Sequence, residues 1–145
     1  MSVFSEDLII LDLVATDKVD AIKQMAQAAV AAGRGNDAAQ IAADVIARDE
    51  MGTPQIDGIA IPHARSGGVT EAAVVVARTA GVVFDPEEEP AQVLFMILVP
   101  NEAGDQHIEI LSSLARRMMD PDFTSGLRTA DSKSALVQLL NSGDK

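Results

Sequence analysis

The sequence predicts an α/β fold: a mixed sheet of about five strands with helices on both faces, in a single domain over residues 1–145. Three observations carry this. Short β-rich apolar runs alternate along the chain with longer stretches whose apolar residues recur at helical spacing. A chain of 145 residues with 48% apolar content is long and greasy enough to bury a core. Aromatics are only 3%, all phenylalanine, so Ala, Val, Ile, Leu and Met must fill that core.

The elements follow in order. Leu8-Ile9-Ile10-Leu11 reads as a short buried strand. Thr16 or Asp17 caps a helix over about residues 18–32, with Val19, Ile22, Ala26, Ala29 and Val30 as its apolar stripe and Gly33 and Gly35 as its stop. Asn36 or Asp37 caps a second helix to about residue 51, with Ile41, Ala42, Val45 and Ile46 inward. Residues 52–58 form a turn-rich link into a short apolar strand ending at Pro62. Residues 72–77 and 92–99 are β-rich, and the second reads as a fully buried central strand. Between them, Asp85-Pro86-Glu87-Glu88-Glu89-Pro90 is a solvated acidic loop. A helix from about Asp105 to Met119 turns Ile110, Leu111, Leu114 and Met118 inward, and Pro121 interrupts it. A last helix, capped by Asp131 or Ser132, carries Ala135, Leu136, Leu139 and Leu140, followed by a polar tail.

Composition removes several function classes. The net charge of −11 opposes binding to nucleic acid or to an anionic membrane surface, and there is no tryptophan or tyrosine on which bases could stack. The first residues lack the positive segment of a secretion signal, and the longest apolar run is far shorter than a membrane span. A cytoplasmic protein with no membrane insertion is expected. With no cysteine there is neither a disulfide framework nor thiol chemistry, which leaves imidazole as the available nucleophile. An apolar homodimer face would look the same as core in this composition.

Chemistry concentrates at Gly58-Ile59-Ala60-Ile61-Pro62-His63-Ala64-Arg65. A histidine at the mouth of a strand has its body held by the core and one ring nitrogen available to a partner, though such a residue can also be purely structural. Pro62 stiffens the chain before it, and Arg65 carries a cation suited to a phosphate or carboxylate. His107, the only other histidine, falls near a helix N-terminus, where unpaired amides favour an anion and the dipole disfavours a charged ring; it also fits a first-turn surface residue. Arg48, at the end of the second helix, is either a favourable C-terminal cation or a planar fork for an anionic oxygen. No ligand spacing supports a metal site, and no cofactor is implied.

Two separated motifs in order give these residues a context. Arg48-Asp49-Glu50, Thr53 and Gly58-Ile59-Ala60-Ile61-Pro62-His63, followed by His107-Ile108-Glu109-Ile110-Leu111-Ser112-Ser113-Leu114-Ala115, resemble the IIA phosphocarrier domains of the bacterial phosphotransferase system, fructose–mannitol branch. The resemblance runs from about Phe4 to Leu140 and includes the strand–acidic turn–strand from Val83 to Pro100. It implies a phosphotransferase component with a phosphohistidine on His63, through Nε2, and with His107 and Arg48 beside the phosphoryl group. Arg65 is a weaker candidate, able to meet solvent or a partner. The implied donor is the carrier HPr and the implied acceptor a cysteine of a IIB component, on the same or a separate chain, in uptake of a sugar such as fructose. Lacking cysteine, the chain agrees with a lone IIA unit. A nitrogen-related regulatory IIA protein, acting as a phosphorylation-dependent binding switch, is the alternative, and a plain interaction module with structural histidines is a third. One departure stands out: Thr53-Pro54-Gln55-Ile56-Asp57 replaces the family's glycine-rich run after the threonine.

Overall fold

The structure, a computed structural model, describes residues 3–102 and 104–142, and their side chains apart from those of Gln106, His107 and Ser142. A short 3-10 turn, Glu6–Leu8, leads into β1 (Ile9–Leu13), α1 (Lys18–Ala31) and α2 (Ala38–Asp49). Next come β2 (Gln55–Ile56), β3 (Ile59–Ala60), β4 (His63–Ser66), β5 (Ala73–Val82) and β6 (Ala91–Pro100). The chain ends in α3 (Gln106–Arg117), α4 (Pro121–Thr129) and α5 (Lys133–Ser142).

Among the described residues the sheet has six strands in the order β1-β5-β6-β3-β2, with β4 also paired to β6. β5 and β6 are antiparallel, β1 runs parallel to β5, and β3 and β4 run parallel to β6. The mixed sheet is therefore as expected, with one strand more than five.

The two-residue period of the central strands sorts their side chains between two cores. Ala73, Val75 and Ala77 of β5 and Leu94, Met96 and Leu98 of β6 meet Ile22, Met25 and Ala29 of α1 and Ile41 and Val45 of α2. Val74, Val76, Val93, Phe95 and Ile97 point the other way, onto Leu114, Phe123, Leu127, Leu136 and Leu140 from α3, α4 and α5. Helices thus cover both faces, and β6 is the buried central strand that its continuous apolar run foretold.

Asp17 and Asp37 are the caps of α1 and α2, accepting from the amides of Asp20 at 2.8 Å and Gln40 at 3.0 Å. Ser132 caps α5 by accepting from the Ala135 amide at 3.0 Å.

Four local expectations need correction. Pro121 does not merely interrupt a helix; it is the first residue of α4, where a missing amide costs nothing, and Asp120 caps that helix by accepting from the Asp122 amide. The link before the histidine strand contains a hairpin: Asp57 (φ 49°) and Gly58 (φ 78°) are both left-handed, and Gln55 and Ile56 pair with Ala60 and Ile59. β5 runs to Val82 rather than stopping near Ala77, because β6 continues to pair with it as far as Ala91. Lastly, the histidine strand is in two pieces, β3 and β4, separated at Ile61-Pro62, and His63 opens the second piece instead of following the strand. Proline has no amide to give the ladder, yet the Pro62 carbonyl still accepts from the Ile97 amide at 3.0 Å, which holds both pieces to β6.

Candidate functional site

His63 pairs with Ile97 across β4 and β6, and Ile97 belongs to the core beneath α3–α5. In parallel pairing such partners share a face, so the imidazole lies on the α3 side of the sheet. It is 7% exposed, far more enclosed than a residue at a strand mouth. Its Nδ1 lies 3.0 Å from the carbonyl oxygen of Ile61. A carbonyl only accepts, so Nδ1 carries the proton and, in the neutral ring, Nε2 carries the lone pair. The strand break at Pro62 is what lets a carbonyl two residues back turn toward its own strand's histidine.

Arg48 sits on the last turn of α2 and donates from Nη1 to the carbonyl of Gly52 at 2.9 Å. That nitrogen ties the helix exit to the loop backbone. Beside it, Asp49 receives the ammonium of Lys18 at 2.6 Å, with its carboxylate side chain only 7% exposed, and accepts the Thr53 hydroxyl. Lys18 also donates to the Phe84 carbonyl at 2.9 Å. The Ile61 amide then donates to the Pro54 carbonyl at 2.9 Å, so the unusual Thr53–Asp57 loop resolves into a pinned segment running beside the histidine strand. From sequence, Asp49 and Thr53 entered only as part of the motif beside Arg48, and Lys18 was given no role at the site. The available signal was the i,i+4 placement of Asp49 and Thr53 across a helix end; the partner from α1 left none.

Arg65 is exposed but bound: a guanidinium nitrogen donates to the Gly104 carbonyl. This joins β4 to the segment that opens α3, while the side chain stays exposed as anticipated. His107 is the second residue of α3, close to the Asp105 start anticipated, and the amides of Ile108 and Glu109 close the first turn on the Asp105 carbonyl. The side chain of His107 lies outside those described. β4 packs against both α2 and α3, so the elements bearing Arg48, His63 and His107 are assembled around one strand. Met51 (82% exposed) and Ile108 (50% exposed) leave apolar surface on the two segments flanking that strand.

Residues 2–143 match the family model of the phosphoenolpyruvate-dependent sugar phosphotransferase system, EIIA 2. Over 137 residues the chain is 37% identical to the fructose-specific EIIA component of Haloferax volcanii, covering 92% of this chain and 89% of that protein. Among solved structures, the nitrogen regulatory protein IIA-Ntr of Neisseria meningitidis is similar with a TM-score of 0.83 at 26% identity, over 95% of this chain and 96% of that one. The mannitol enzyme IIA solved in complex with phosphorylated enzyme IIB from Escherichia coli shares the fold, with a TM-score of 0.79 at 23% identity over 96% and 97% of the two chains.

Proposed function

Because the chain belongs to the EIIA 2 family of the sugar phosphotransferase system, we propose that it is a phosphoryl carrier whose acceptor is Nε2 of His63. The observation that carries this reading is the bond from Nδ1 to the Ile61 carbonyl. It selects the tautomer with a lone pair at Nε2, the form a nucleophilic imidazole requires.

In the first step the Nε2 lone pair forms a bond to phosphorus as the N–P bond of phospho-HPr breaks, and that electron pair returns to the donor imidazole. The phosphorylated ring of His63 gains positive charge, and the Ile61 carbonyl faces the N–H that shares it. In the second step a cysteine thiolate of a IIB component forms the S–P bond as the Nε2–P bond breaks, returning the pair to His63. Transfer of this kind runs through a loose transition state, so positioning and charge stabilisation do most of the work. His107 and Arg48 are assigned to the phosphoryl oxygens, Arg48 by releasing or sharing its hold on Gly52. The functional unit is one IIA domain over residues 1–145, and its sugar is fructose, by likeness to the Haloferax protein.

Similarity to IIA-Ntr favours a second reading, a regulatory carrier that takes phosphoryl groups and acts by binding other proteins. Intact mass after incubation with phosphoenolpyruvate, enzyme I and HPr tests the shared core of both readings. One acid-labile phosphoryl increment is expected on the wild type and none on His63→Ala; an increment on both would overturn the site. Onward transfer to a IIB cysteine then separates the transport role from the regulatory one.

A further inference from the structure

The end of the sheet away from His63 holds a cavity of about 460 Å³ that the phosphoryl chemistry does not use. Its wall includes Leu11, Asp12 and Leu13 of β1, Arg78 of β5, Gln92 of β6 and Arg128 from the last turn of α4. Register sets its distance from the histidine. Arg78 pairs with Val93, four positions along β6 from Ile97, the partner of His63, a separation of roughly 13 Å along the strand.

Two arginines line this cavity, and the guanidinium of each is held by only one nitrogen. Arg78 uses Nη1 alone, on the carbonyls of Ala130 at 2.6 Å, Arg128 at 3.2 Å and Leu127 at 3.4 Å, which satisfies the open C-terminal end of α4. Arg128 uses Nη2 alone, on the Asp57 carbonyl. Nε and Nη2 of Arg78, and Nε and Nη1 of Arg128, donate to no group among the described residues, and neither arginine is in an ion pair. This is a chain with 22 acidic residues against 11 basic ones, so carboxylates are not scarce. Asp12, the wall's own carboxylate, stands beyond ion-pair distance of both.

Guanidinium edges anchored at one corner have lost their side-chain freedom before any ligand arrives, so a planar anionic group would meet donors already in place. Apolar walls with a few convergent polar groups are the general form of a small-molecule site. We propose that this cavity binds a small molecule bearing a carboxylate or phosphate group, held between Arg78 and Arg128 with its uncharged part against Leu11. The site is independent of the carrier reaction and stands whether or not His63 is the acceptor.

The test follows the arginine Nε–H resonances by nitrogen–proton NMR during titration with inorganic phosphate and, separately, succinate. Saturable shifts at Arg78 and Arg128 are expected with at least one probe, at a Kd of about 1 mM or tighter; which probe saturates distinguishes a phosphorylated from a carboxylic ligand. Arg128→Gln should weaken binding at least tenfold with an otherwise unchanged amide spectrum. Asp12→Asn should tighten it by removing the opposing charge, and His63→Ala should bind as wild type does. Shifts that only grow linearly with both probes, shifts centred on His63, or equal binding by Arg128→Gln would overturn the proposal.

Discussion

The Nδ1 of His63 and the carbonyl oxygen of Ile61 lie 3.0 Å apart, joined across the proline that divides β3 from β4. The bond closes over only two residues, so it is set by the strand break and survives whatever happens at the protein surface. Long-range nitrogen–proton NMR of the neutral protein should find Nδ1 protonated and Nε2 pyridine-like. The reverse assignment would remove the basis for an Nε2 nucleophile.

Replacing either histidine should separate accepting from assisting. His63→Ala is expected to take no phosphoryl group while keeping its far-UV spectrum. His107→Ala should still accept, roughly 10²-fold more slowly, the scale of losing one donor aimed at developing charge. Quench-flow rates with phospho-HPr measure both, and an undiminished rate for His107→Ala would take that residue out of the site.

Asp49 binds three parts of the molecule, through Lys18 on α1, its own position on α2, and Thr53 in the loop before the hairpin. Because its own side chain is nearly buried, Asp49→Ala removes the partners of the Lys18 ammonium and the Thr53 hydroxyl there and should cost about 2 kcal/mol, although Lys18 keeps the Phe84 carbonyl. At this chain size that is a fall of roughly 5 °C in Tm. Calorimetry showing no change would mean that water replaces the carboxylate without loss.

Gly58 takes φ 78° in the hairpin turn, and an added Cβ would meet Arg128 Nη2 at 3.6 Å and the Pro90 carbonyl oxygen at 3.9 Å, both ordinary contacts. The cost of Gly58→Ala is therefore conformational, about 1–2 kcal/mol. Urea melts should show that loss with an unchanged slope. A neutral result would show that the turn relaxes to another type.

Docking should depend on salt. With a net charge of −11, association with a basic carrier surface gains from long-range attraction, screened over about 8 Å at physiological ionic strength. The bimolecular transfer rate from phospho-HPr is expected to fall several-fold between low and high salt, while maximal loading stays constant. Equal rates would place the encounter under the control of apolar contacts such as Met51 and Ile108.

Much of this was legible in the linear chain, and for identifiable reasons. The helical stripes of α1 and α2, the caps at Asp17 and Asp37 and the continuous apolar run of β6 are local or nearly local signals, and each produced its element. The motifs around His63 and His107 likewise lie within short segments, so the family could be read from them. The Asp57-Gly58 hairpin and the Pro121 helix start carried local signals as well, an Asp-Gly pair and an Asp-Pro start.

What the tertiary structure alone decided involves partners far apart in sequence. The length of β5 depends on β6, the burial of His63 on Ile97 and the flanking helices, and the grip on Asp49 on a lysine thirty-one positions earlier (49 − 18). The cavity between Arg78 and Arg128 likewise exists only because the C-terminus of α4 settles over β5. Local sequence sets which backbone conformations are cheap; which side chains meet is set by the closing of long loops and the sharing of a core, and no window of the chain records that.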